Sequence, residues 1–162
     1  MAFWSRKTDI NKGISFGVTS GVITTLGLMV GLNASTQSRV AVLSGILSIA
    51  IADSFSDAMG MHVSEESQSE SSNSQIWKTT ILTLLSKLVV ALSFAVPIVL
   101  FPLNIGVKVC VLWGVLITTV FSYRLAKNRN ENALHTVSEH VGIAIFVVIA
   151  SYFVGKIISA LN

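Results

Sequence analysis

Two aspartates four residues apart, Asp53 and Asp57, stand in a long apolar run, and their type and spacing are the first features of the chain that point to chemistry. On a helix a spacing of four puts both carboxylates on one face. Met61 and Ser64 continue that face over the next two turns, while Met59 and His62 point elsewhere on an ideal helix. An aspartate near the centre of a membrane helix costs about 2.5–3.5 kcal/mol on the insertion scale, so two would cost roughly 5–7 kcal/mol in lipid. Such residues face a cavity, a partner or an ion. Carboxylate oxygen suits hard divalent ions, whereas imidazole and thioether shift preference toward transition metals. Asp53, Asp57, Met61, His62 and Met59 therefore read as a mixed metal site, favouring Fe2+ or Mn2+ over Ca2+ or Mg2+.

Each of these residues also has a plainer reading. Met59 alone is an ordinary packing methionine. Counted from Arg39 at about 1.5 Å per residue, Asp53 lies roughly 21 Å along its helix and Asp57 roughly 27 Å, against a hydrocarbon core of about 30 Å. Asp57 could thus stand near the headgroups, with its carboxylate in water. Upstream, Ser20 and Thr24 form one hydroxyl pair at four-residue spacing, and Ser15 and Thr19 another. With Gly21 and Ser56 the first pair would line a polar path, unless the hydroxyls bond back to carbonyls one turn earlier. Glu65 and Glu66, with Glu70, either gather cations at a mouth or solvate a loop. His135, Glu139 and His140 begin the last apolar run, where they join that mouth, relay protons or simply start a helix at the interface. Lys87, inside the third run, is either a counter-ion for a buried acid or a side chain that snorkels to the interface.

The elements that must position these groups are transmembrane helices. Charged residues make up 12% of the chain and hydrophobic ones 52%, against about 25% charged in a soluble domain. So few charges cannot cover a globular surface, so lipid must solvate much of the exterior. Five runs are long enough to span at about 20 residues each: 14–33, 39–63, 77–100, 105–123 and 137–161. They do not alternate as barrel strands do, and a chain this short cannot bury five all-apolar helices in a soluble core. The expected fold is an all-α integral membrane protein, one transmembrane domain over residues 1–162. Pro97 should kink or loosen the third span, and Pro102 and Asn104 mark the turn after it. Polar loops are expected over residues 64–75 and 124–132. Gly13, Gly17 and Gly21, then Gly27 and Gly31, repeat at four-residue spacing in span one and would let helix backbones approach closely.

The remaining charges orient the chain. Arg6, Lys7, Lys12, Lys78, Arg124, Lys127 and Arg129 fall on one side, and Arg39, Lys108 and Lys156 on the other. The positive-inside rule then puts the N-terminus in the cytosol and the C-terminus outside. This accounts for the net charge of +3 without a nucleic-acid partner. The first apolar run is long enough to span, which argues against a cleaved signal peptide. The single cysteine, Cys110, cannot form a disulfide or a thiolate cluster within the chain and reads as a small core residue.

The stretch Ala52-Asp53-Ser54-Phe55-Ser56-Asp57-Ala58-Met59-Gly60-Met61-His62-Val63-Ser64 resembles the second span of the vacuolar iron transporter family, Ala-Asp-Gly-x-Ser-Met-Ala-x-Gly-Glu-(Tyr or Phe)-x-Ser. The glycine-rich first span, Gly17 to Thr25 and then Gly27 to Gly31, is similar too. The resemblance implies a homodimer that moves Fe2+ or Mn2+ out of the cytosol in exchange for protons, with first spans lining the path and span two supplying ligands. Three positions depart from the pattern. Ser20 stands where the family has Asp, Asp57 where it has Met, and Met61 where it has Glu. In span two the acid and the sulfur have traded places one turn apart. Plant-type members carry a helical cytosolic metal-binding domain between spans two and three, and the segment here is too short to hold it.

Three functions follow for weighing. The first is a proton-coupled divalent-metal transporter. The second is a non-transporting metal sensor or assembly partner, favoured by Ser20 and the short connection. The third is an intramembrane enzyme such as an aspartyl protease, disfavoured because two carboxylates on adjacent turns of one helix are poorly placed to face one water across a gap, although a dimer could pair them across an axis. No enzyme activity and no resident cofactor are expected, only the transported ion. The membrane would be the plasma membrane in a prokaryote, or a vacuolar or other organelle membrane in a eukaryote.

Overall fold

The computed structural model describes the backbone of residues 2–68 and 71–161, with side chains from Lys12 onward. Arg6, Lys7 and Glu70, which entered the charge reading above, lie outside the described side chains. The described residues form six helices: α1 (Ala2–Thr36), α2 (Arg39–Glu66), α3 (Asn73–Ser93), α4 (Ala95–Leu100), α5 (Leu103–Arg129) and α6 (Ala133–Ala160). Among them are five candidate spans, with α3 and α4 together making the third. Large apolar side chains such as Val89, Leu112 and Phe146 stand exposed around the outside, where lipid rather than water would solvate them.

Hydropathy marks the apolar stretch, and the helices run past it. Residues 124–129, expected as loop, continue α5, because Arg, Leu, Ala and Lys are strong helix formers and Lys127 and Arg129 complement the negative end of the helix dipole. The helix stops at Asn130, whose left-handed backbone (φ 56°) caps it, with Glu131 N–H donating to Ala126 O at 3.0 Å. Asn132 then starts α6, its side chain accepting from Leu134 N–H at 3.0 Å. Likewise α2 continues through Ser64 to Glu66, and Gln75 Oε1 accepts from Ser72 N–H at 3.1 Å at the start of α3.

The break between α3 and α4 falls at Phe94. Pro97 has no N–H to return to the Ser93 carbonyl, and Phe94 N–H closes a tighter turn on Ala91 O at 3.2 Å. Helix α5 covers the break. Cys110 Sγ donates to Phe94 O at 3.3 Å and Trp113 Nε1 donates to Ser93 Oγ at 3.1 Å. At Gly106 a Cβ would come within 2.9 Å of Pro97 O.

Helix α1 is the centre of the bundle and packs against α2, α3, α5 and α6. Its glycines serve two neighbours. Gly13, Gly17 and Gly21 face α3, where a Cβ at Gly17 would lie 2.6 Å from Thr83 O, and Gly27 and Gly31 face Ser151 on α6. A core of Val22, Leu26, Met29, Val42, Ile46, Phe94, Ile98 and Cys110 fills the space between α1, α2, α4 and α5.

Candidate functional site

The close α1–α3 seam decides what the aspartates meet. Because Gly17 and Gly21 bring α3 against α1, Lys87 on α3 reaches across the bundle beside Ser20. Helix α2 packs against both α1 and α3 and presents Asp53 and Asp57. Lys87 is 1% exposed, and its Nζ stands 2.5 Å from Asp53 Oδ2 and in ion-pair contact with Asp57 Oδ2. The contact with Asp53 is off the hydrogen-bond direction, so that oxygen has a charge partner but no hydrogen bond. Lys87 Nζ also donates to Ser20 Oγ at 3.0 Å, and Ser20 Oγ donates to Asp57 Oδ2 at 2.6 Å. One ammonium, one hydroxyl and two carboxylates thus close a polar cluster drawn from three helices.

Lys87 therefore acts as counter-ion rather than as a snorkelling side chain. Sequence alone left both readings open, since the partners lie on another helix. The charge count is unequal when all groups are ionised, two carboxylates against one ammonium. The carboxylates are not sealed off, at 28% exposed for Asp53 and 20% for Asp57. Asp53 also borders a cavity of about 490 Å³ on the flank of α2, shared with Ser48, Ser56 and Gly45.

The other sulfur and imidazole candidates lie elsewhere. Met59 points out of the bundle, 57% exposed. Met61 lines a separate cavity of about 800 Å³ with Lys12, Ser15, Thr19, Arg124, Arg129 and His140. His62 Nδ1 lies 3.0 Å from Thr80 Oγ1, and its ring meets Trp77 edge-on at 4.8 Å. Among the described residues, no three His, Cys, Asp or Glu side chains stand close enough to hold a metal ion. An ion at Asp53 and Asp57 would complete its shell with other oxygens, such as those of water.

The remaining expected residues are placed as follows. Thr24 Oγ1 donates to Ser20 O at 2.9 Å, bonding back to the backbone. Glu65 is 3% exposed and ion-paired to Lys12, with Ser71 Oγ at 3.4 Å, while Glu66 is exposed. His135 and Glu139 form an exposed pair at 4.0 Å, and His140 Nδ1 lies 2.8 Å from Ser122 Oγ. The Lys12–Glu65 link was missed in the sequence. Its signal is an acid in the last turn of one span, Glu65, and a base on its antiparallel neighbour, Lys12.

A first helix with glycines against α3 and a second with two in-line acids are the parts that comparison with known families picks out. Residues 12–80 match the VIT family. The match is consistent with a vacuolar iron transporter family member and suggests membrane metal-ion transport. The VIT family is one of transporters, not of enzymes. The matched stretch includes Ser20, Asp53 and Asp57 and ends before Lys87. No curated protein matches the chain.

Proposed function

We propose that this chain is a homodimeric transporter that moves Fe2+ or Mn2+ out of the cytosol in exchange for protons, with its N-terminus on the cytosolic side. The VIT match over α1 and α2 supports metal transport in general. The observation that carries the finer reading is the carboxylate pair, partly open to the flank of α2 and bearing more negative charge than its one lysine cancels. Asp53 is near the middle of the 28-residue α2. Two carboxylates and a hydroxyl form an oxygen-rich site suited to a divalent ion, and protons would compete for the same oxygens. The test is anaerobic Fe2+ and Mn2+ uptake into proteoliposomes under an imposed pH gradient. Wild type should show gradient-dependent flux that Asp57→Asn abolishes. Absence of flux for both metals from folded protein would overturn the reading.

One observation favours a second reading. Lys87 touches both carboxylates, as expected if the cluster is a structural tie in a non-transporting sensor or assembly partner. Folded wild type without flux is the result that reading expects.

A further inference from the structure

We propose that Lys87 is a tethered cation that holds the place of a divalent ion on Asp53 and Asp57, and thereby sets how strongly this chain retains metal. The inference deepens the transport reading and rests on it for the identity of the ion. Lys87 Nζ lies against Asp53 Oδ2 and Asp57 Oδ2 together, the oxygens that a metal bridging the two residues would use. An ammonium held on these carboxylates opposes a metal ion there, because the two cations repel each other at close range.

The side chain is built to leave. Lysine is a compact charge on a flexible four-carbon stem with three rotatable donors, not a planar fork locked to its carboxylates. Its stem runs past Gly21, where a Cβ would lie 3.4 Å from Lys87 Cγ, so the glycine keeps that wall clear. Ser20 Oγ already accepts one of the Nζ hydrogens, which gives the ammonium a partner other than the carboxylates. The approach for the ion is the cavity beside Asp53 with Ser48 and Ser56. A metal entering there meets Asp53 first, and binding both residues sets it against the ammonium already held on their Oδ2 atoms. Part of the metal's attraction to the pair is therefore spent on displacing a resident charge, which weakens retention and favours release on the far side.

Three variants beside wild type, in lipid nanodiscs, test this by Mn2+ binding, followed by the spectroscopic signal of the unbound ion. Lys87→Gln removes the competing charge and should bind Mn2+ more tightly than wild type by about tenfold or more, the scale of one close charge pair. Lys87→Arg keeps the charge and should bind no more tightly than wild type. Lys87→Gln with Asp57→Asn should lose the gain. Thermal unfolding supplies a second readout if Lys87→Gln is fragile, because Mn2+ should restore its stability and leave Lys87→Arg unchanged. Unchanged affinity in Lys87→Gln, a gain that survives Asp57→Asn, or a destabilised Lys87→Gln that Mn2+ does not rescue would each overturn the proposal. Its failure is separable from that of the transport reading. Wild type that carries flux while Lys87→Gln gains no affinity sinks the tethered cation alone. Wild type without flux, beside a Lys87→Gln that gains affinity, sinks transport and leaves the tethered cation standing.

Discussion

Among the described residues the bundle holds two lysine–carboxylate groups, and they are built differently. At one end Lys12 on α1 meets Glu65 on α2, one base for one acid, with Lys12 nearly half exposed. Deeper in, Lys87 on α3 meets Asp53 and Asp57, one base for two acids, with the lysine fully enclosed. The first group is balanced and near the end of its helices, where it joins α1 to α2. The second sits between three helices and is left one negative charge over when ionised. The same side-chain chemistry makes a balanced fastening in one place and a centre with surplus negative charge in the other, and the difference lies in stoichiometry and depth.

Substitutions can break that contrast. Lys87→Met should have the largest effect, a loss of about 3–5 kcal/mol, because it leaves two largely buried carboxylates without a counter-ion. Thermal or denaturant unfolding in a single detergent would measure it. Lys12→Met leaves Glu65 buried without its base, but near the helix end and with Ser71 still at hand, so a smaller loss of about 1–3 kcal/mol is expected in the same assay. A Lys12→Met protein as unstable as Lys87→Met would erase the distinction between fastening and centre. The exposed pair His135 and Glu139 gives the lower bound. His135→Ala should change stability by no more than about 0.5 kcal/mol, and a larger loss would mean that this end of α6 is packed against something.

Much of this was legible in the sequence for physical reasons. The five spans announce themselves because an all-round apolar helix has no other stable surroundings. Their ends do not, since hydropathy reports the solvent and helix propensity reports the backbone, so residues 124–129 could be polar and still helical. Pro97 was readable because a missing N–H breaks any helix. The Asp53–Asp57 pair was readable from its spacing. Met61 was misleading for the same reason, because each step of four overshoots a full turn by about 40°, which carries Met61 about 80° around from Asp53 and into another cavity. Lys87 was only half readable. Its partners lie 30 and 34 residues back on a neighbouring helix, and the register of two antiparallel helices is set by side-chain fit along the whole seam.

The break at Phe94 has a mechanical consequence. Hydrocarbon offers nothing to an opened helix turn, so the joint must be socketed in protein, and α5 provides the socket through Cys110, Trp113 and the bare backbone at Gly106. A bend at that joint without α5 would strip Phe94 O and the Ser93 hydroxyl of their donors. The third and fourth spans are therefore yoked at this level and must travel together.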